Sequence, residues 1–287
     1  MLVLSLFCAF VLSVLASALS KPKEDAKMLD RSKEMLVAAK MYDNDRSCFL
    51  IMQDGKHVPA KYVGDGRLVA SPDIVIAAPS DILAVVRERT NPILVDENGD
   101  TTTFEKAHIN EAEYISTNKK KGYALLPWKL VYELYSNPET TNNKERKIEG
   151  YIIPVSGFGL WDYIYGYIAI QPDGDTVIGI SWYEQKETPG LGANIAETPW
   201  QSQFTGKEIF QPDSQGKTDL KISSLGITVV RGKVKEVIGD SPKAVNFVDG
   251  MSGATLTGNG VTKAYKDTLG PYRAFFIRLN EQTAKRK

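Results

Sequence analysis

The chain has 287 residues, and its 35 basic residues balance 35 acidic ones to a formal net charge of zero. That balance argues against general nucleic-acid binding, which needs a basic face to displace counterions from phosphate. Apolar residues make up 43% of the sequence, enough for a sizeable core without disulfides or metals. Two cysteines, Cys8 and Cys48, and two histidines, His57 and His108, offer no spacing that looks like a zinc or iron–sulfur site, so no metal ligand is assigned. Cys8 lies inside an apolar run and is poorly placed to bridge to Cys48.

That run, Leu2–Leu19, is free of charge. As a helix it would reach roughly 27 Å, close to the ~30 Å hydrocarbon core of a bilayer. A buried core helix would show a polar stripe, and here only serines interrupt. Ala16-Ser17-Ala18 offers a small-residue cleavage site, but the run exceeds the usual ~7–15 residues of a signal peptide and lacks a basic n-region. A permanent single-pass anchor over residues 1–20 is therefore the preferred reading, and the missing basic segment suggests a true start upstream. Lys21, Lys23, Lys27, Arg31 and Lys33 follow the run; read literally, they would place the bulk of the chain in the cytoplasm. Charge alone leaves the side open, because long domains obey that rule poorly.

Residues 21–45 follow as a juxtamembrane helix, with a helical pattern from Lys23 to about Tyr42. Residues 46–150 hold short apolar runs such as Asp73–Ala78 and Ile93–Val95 between Gly, Pro and Asn-Gly, which predicts strands and loops in a small α/β lobe. Thr140–Lys147 is polar and predicted as an exposed loop. In residues 151–287, Tyr163–Ile170 and Thr176–Tyr183 flank the turn Pro172–Asp175 and predict a hairpin. Ile227–Arg231 and Ala244–Val248 are further strand candidates. Val261, Ala264, Tyr265 and Leu269 mark a helix, Gly270-Pro271 breaks it, and Tyr272–Glu281 resumes a helical pattern. The class is α+β, without internal repeats.

Asp249–Thr257 (DGMSGATLT) reads as a strand end, a small-residue turn and a helix start. Backbone N–H groups and the helix dipole favour an anion at such a junction. On residues alone, either the segment binds phosphate or Thr255 or Thr257 merely caps the helix, and capping is the simpler account. Glu187–Gly192 (ETPGLG) is equally two-sided: a type II turn at Pro189-Gly190, or a close backbone approach to a ligand with Leu191 flat against a ring.

Together, YEQ-x-ETPGLG and SGATLT-x-NGV resemble the C subunit of the Na+-translocating NADH:quinone oxidoreductase, a family that shares an FMN-binding domain with the G subunit of the Rnf electron-transport complex. The likeness extends over the N-terminal run, Val155–Gly174 and the C-terminal helix, and is weaker between about residues 45 and 140. It implies that Thr255 receives FMN through a phosphoester bond. Asp249, Gly250, Ser252, Gly253 and Ala254 then match the acceptor pattern read by a flavin transferase. Thr257 follows in the same motif, and Glu187, Thr188, Gly190, Leu191 and Gly192 match a loop near the flavin. Gly157, Leu160 and Trp161 match a further family segment.

The resemblance also implies a soluble domain facing the periplasm, partner subunits in the inner membrane, and electron relay without a nucleophile–base pair, so no catalytic side chain is assigned. Sodium pumping and quinone reduction would belong to the assembled complex. An Rnf-type subunit is the main alternative, and a non-redox exported binding module the other.

Overall fold

The computed structural model describes residues 2–138 and 146–286, without the side chains of residues 2–4, 6 and 286. The predicted loop Thr140–Lys147 therefore falls largely outside the described residues. Helix α1 (Leu2–Ala38) is continuous through Pro22, so no break separates the expected anchor from the helix after it. Among the described residues no helix is long and apolar enough to cross a membrane. The helix stops at Ala38, earlier than the pattern predicts, because Lys40 turns left-handed (φ 57) and Met41 N–H closes back on Leu36 O at 2.8 Å.

Four antiparallel strands follow: β1 (Tyr42–Asp43), β2 (Cys48–Gln53), β3 (Lys56–Tyr62) and β4 (Leu68–Ala70). Asp54 and Gly55 join β2 to β3, both at positive φ as a tight hairpin requires. The run Asp73–Ala78 supplies only an isolated bridge from Ile76 to Cys48, not a strand. Pro79 then opens α2 (Pro79–Arg89), where its fixed φ and missing N–H are harmless.

The central sheet has six antiparallel strands in the order β10-β9-β8-β7-β5-β6. They are β5 (Thr90–Val95), β6 (Thr101–Thr102), β7 (Lys129–Tyr135), β8 (Ile148–Phe158), β9 (Tyr163–Ile170) and β10 (Val177–Glu184). Helix α3 (Glu111–Asn118) lies between β6 and β7 and is capped by Asn110, which accepts from Glu113 N–H at 2.9 Å. Residues 46–150 thus contribute three strands of the small sheet, β2 to β4, and β5 to β7 with the start of β8 to the large one. The predicted hairpin pairs Val177 with Ile170 around Gly174.

Beyond β10 come α4 (Thr198–Gln201), β11 (Thr228–Val229), α5 (Val234–Val237), β12 (Phe247–Val248), α6 (Thr255–Leu269) and α7 (Arg273–Arg286). The predicted strand Ala244–Val248 begins only at Phe247, because Pro242–Asn246 coils into a 3-10 turn whose first residue is a proline. β11 and β12 pair in parallel.

The large sheet is buried on both faces, which is why β8 to β10 read as nearly unbroken apolar runs. Ile153, Val155, Ile164, Ile168, Ile180 and Trp182 pack with Val261, Tyr265 and Phe276 on one side. Ile152, Tyr167 and Ala169 pack with Leu36, Phe49 and Val85 on the other. Helix α6 crosses β8 so closely that a Cβ on Gly260 would lie 2.4 Å from Phe158 O. Gly157, which matches a further family segment, lies in this crossing against Ala264.

Candidate functional site

The site grows from the end of β12. Asp249 N–H donates to Gln203 Oε1 (2.9 Å), and Asp249 O accepts from Trp200 Nε1 (3.1 Å). Its carboxylate accepts from Val234 N–H at 2.8 Å and from Lys233 Nζ at 2.9 Å. Burial alone would raise the Asp249 carboxyl, but the Val234 N–H and the Lys233 ammonium outweigh it and hold the group below its usual range. The residue therefore straps the segment after β11 to the motif.

The chain then turns through Gly253, at φ +73, and enters α6 at Thr255. No side chain caps this helix, whose preceding residue is Ala254. The first-turn N–H groups of Thr255, Leu256 and Thr257 thus stand without intrahelical acceptors, as an anion at a helix N-terminus needs. Neither threonine acts as the cap that residue chemistry alone suggests. Thr255 is the first helical residue and half-buried, whereas Thr257 is buried and donates its hydroxyl to Glu187 Oε2.

Glu187 joins the two motifs. It is 4% exposed, and its other oxygen accepts from Leu160 N–H (2.9 Å) and Trp161 N–H (3.1 Å). One carboxylate thereby ties the β8–β9 turn, the ETPGLG loop and the first turn of α6. Gly192 fits this junction because a Cβ there would meet Thr257 Oγ1 at 2.4 Å. Gly190 has φ +74, and Leu191 N–H reaches Thr188 O at 3.1 Å, as a type II turn demands. Thr188 Oγ1 accepts from Trp161 Nε1 at 3.2 Å. Leu191 stays exposed beside Gly253, where an added Cβ would come within 2.9 Å of its side chain.

A cavity of about 400 Å³ opens at the helix start, lined by Gly250, Ser252, Gly253, Ala254 and Thr255. Arg231 and Lys233 line it too, and sequence reasoning passed over both. The available signal was Arg231-Gly232-Lys233, directly after the strand that pairs with the motif strand. Of the sequence-predicted residues, Asp249, Ser252, Gly253, Ala254 and Thr255 surround this cavity or brace its wall. Glu187, Thr257 and Gly192 form the buried clamp behind it, and Thr188, Gly190 and Leu191 form its exposed flank. The residues suit a phosphate-bearing aromatic cofactor: free helix N–H groups and two cations for the phosphate, and exposed Leu191 and Leu256 as apolar surface for a ring.

Residues 159–270 match a family model described as an FMN-binding domain, and this is the class of protein that the clamped loop and uncapped helix define. The chain is 39% identical to the C subunit of the Na(+)-translocating NADH-quinone reductase of Chlamydia caviae, over 97% of this chain and 91% of that protein. It is 30% identical to the corresponding protein of Haemophilus ducreyi, over 95% and 90%. The chain belongs to this family, the C subunits of the Na(+)-translocating NADH-quinone reductase. The crystal structure of Shewanella oneidensis NqrC shares the fold, with a TM-score of 0.52 and 24% identity over 72% of this chain and 92% of that one.

Proposed function

We propose that this chain is the electron-transfer flavoprotein subunit of a Na+-translocating NADH:quinone reductase and carries FMN as a phosphoester on Thr255. The carrying observation is the division of labour between two hydroxyls on one helical turn. Thr257 is consumed by Glu187, whereas Thr255 opens α6 at the lip of the cavity with no side chain capping the helix.

A bound flavin supplies the capacity to accept and release electrons one or two at a time. The chain's own groups supply the setting. The first-turn N–H groups, Arg231 and Lys233 offset phosphate charge. Glu187 fixes the distance between the ETPGLG loop and the helix, and Leu191 and Leu256 shield a ring from water. A covalent link would keep the cofactor through every redox state, and electron transfer needs no nucleophile–base pair.

We place the flavin-binding part in residues 151–287 and read residues 46–150 as a family-specific elaboration that also lends β5 to β7 to the large sheet. The start of α1 would anchor the chain: Phe7, Phe10 and Leu12 are 64%, 68% and 67% exposed and meet no apolar partner in the chain's buried clusters. Such side chains call for lipid or for a partner protein. The domain beyond would face the periplasm, where a flavin transferase would act, and sodium coupling would belong to the whole complex.

Peptide mass mapping of the native protein tests the central assignment. The expected result is a peptide containing Thr255 heavier by one FMN residue, with a fluorescent band on a denaturing gel. An unmodified Thr255 peptide at full yield in a yellow protein would rule out the covalent link while leaving flavin binding intact. Carbonate extraction that releases the chain from membranes would rule out the anchor.

A further inference from the structure

A second cavity, of about 430 Å³, lies where the end of α1 meets β2, β3, β7 and β10. It shares no lining residue with the Thr255 cavity. Much of its wall is apolar, from Met41, Leu50, Leu134 and Ile178, yet three nitrogen bases also line it: Lys40, His57 and Arg89. Glu149 is the single acid in the lining, and it is engaged by Arg89 Nη2 at 3.3 Å.

Two of the three bases, Lys40 and Arg89, are placed at a cost to the fold. Lys40 sits at the left-handed C-terminal position of α1, at φ 57, where glycine is the usual residue. Burial pulls its ammonium below the usual range, and among the described residues its side chain has no hydrogen-bond or ion-pair partner. His57, on β3, stands exposed at the cavity rim and is likewise unpartnered; partial desolvation first and Lys40 second pull its imidazole down. Arg89, at the end of α2, is 2% exposed and fixed by Tyr135 O (2.7 Å), Asn137 Oδ1 (3.3 Å) and Glu149. Burial lowers it to about 10, so it remains charged at neutral pH.

We propose that this cavity binds a small amphipathic carboxylate, with Lys40 and His57 holding the carboxylate and the apolar wall taking its hydrocarbon body. The Lys40 stem packs over Gly179, but its ammonium has no partner, so the left-handed backbone keeps in place a charged head that the fold does not otherwise use. A cavity with an apolar wall, a few convergent polar groups and this volume fits the pattern of small-molecule sites. The excess of bases over acids selects an anion over a cation or an alcohol. The carboxylate could come from a lipid, as a fatty acid, or from the aqueous phase, as a short acid.

The test is calorimetric titration of the full flavin-loaded chain in lipid nanodiscs, with empty nanodiscs as the blank and 4-phenylbutyrate as the probe. Saturable binding is expected, with 4-phenylbutanol and acetate each at least tenfold weaker. Lys40→Gly should weaken 4-phenylbutyrate about tenfold while leaving flavin content unchanged and the unfolding midpoint no lower, because glycine accepts positive φ freely. His57→Gln should weaken it severalfold. Competition by decanoate assigns the ligand to lipid, and competition by hexanoate alone assigns it to soluble acids. The proposal is overturned if 4-phenylbutyrate does not saturate, if the alcohol binds equally well, or if neither Lys40→Gly nor His57→Gln changes affinity.

Discussion

On the face of the six-stranded sheet that meets α6, backbone approaches backbone. Gly260 leaves no room for a Cβ beside Phe158 O, and Gly192 leaves none beside the Thr257 hydroxyl. On the face that meets α1, side chains do most of the packing, beside a single close approach where a Cβ on Gly179 would lie 2.7 Å from Ala38 O. Tyr167 and Tyr183 stack at 5.2 Å, Lys119 lies 4.4 Å over the Tyr165 ring, and Ser181 Oγ donates to Glu34 O at 2.9 Å. The first arrangement fixes positions to within a few tenths of an ångström, because a close backbone contact has no flexible part to yield. The second spreads burial over large rings that can repack. A cofactor site needs the first kind of support, and a helix that only has to be held needs the second.

If that contrast is right, variants on the two faces should fail differently. The largest effect is expected from Thr255→Ala, which should abolish covalent FMN while leaving a folded protein. Thr255→Ser should keep partial modification, and Ser252→Ala should keep most of it. A denaturing gel under ultraviolet light reads all three; fluorescence surviving in Thr255→Ala would end the assignment.

Next comes Glu187→Ala, which strands three donors at once, the buried Thr257 hydroxyl and the N–H groups of Leu160 and Trp161. A loss of about 3 kcal/mol or more is expected by urea unfolding, since hydrogen bonds to a charged group are worth roughly 1.5–3 kcal/mol each and are not fully additive. Glu187→Gln keeps an oxygen for Leu160 and Trp161 and should lose much less. Equal losses in the two variants would show that the clamp is steric.

Gly190→Val tests the exposed flank. A Cβ there meets nothing within 4 Å, so the cost is the positive φ alone, about 1–2 kcal/mol. FMN should remain attached with a shifted absorption band; an unchanged spectrum would remove the loop from the ring's surroundings. On the opposite face, Ser181→Ala should cost about 1 kcal/mol through its lost bond to α1 and leave the flavin spectrum untouched. A spectral change there would break the comparison.

The smallest effect concerns pH. Burial raises the Asp175 carboxyl to about 6, against the opposing N–H groups of Phe210 and Ile209. A carboxyl whose folded pKa lies above its unfolded value binds more protons when folded, so its contribution falls as pH rises from about 4 to 6. Asp175→Asn should flatten that slope and cost little at pH 7, since the amide oxygen can still accept both bonds. Unfolding midpoints at pH 4.5 and 7 check the sign.

The motifs were legible because each depends on local chemistry. ETPGLG needs a turn glycine, and SGAT needs small residues before a helix, so both show within a few positions of chain. Strands β9 and β10 were legible for a similar reason: alternate burial on two apolar faces leaves an unbroken run. The N-terminal half was harder. Asp73–Ala78 is as apolar as a strand, but Pro79 turns the chain into α2 and leaves a single bridge. Ala244–Asn246 likewise lost its strand to the proline-led turn at Pro242.

By itself the sequence determined which residues have the chemistry to hold a flavin phosphate and that the first turn of a helix would present them. Residue chemistry alone left Thr255 and Thr257 equivalent, as hydroxyls within one turn, and only the family motif singled out Thr255. The two differ in the fold through a contact 70 residues apart in sequence: Glu187 accepts the Thr257 hydroxyl, while Thr255 lines the cavity. Arg231 and Lys233 reach the same cavity only because β11 pairs in parallel with β12. Pairings between distant strands carry no local signature, so only the tertiary structure could place them.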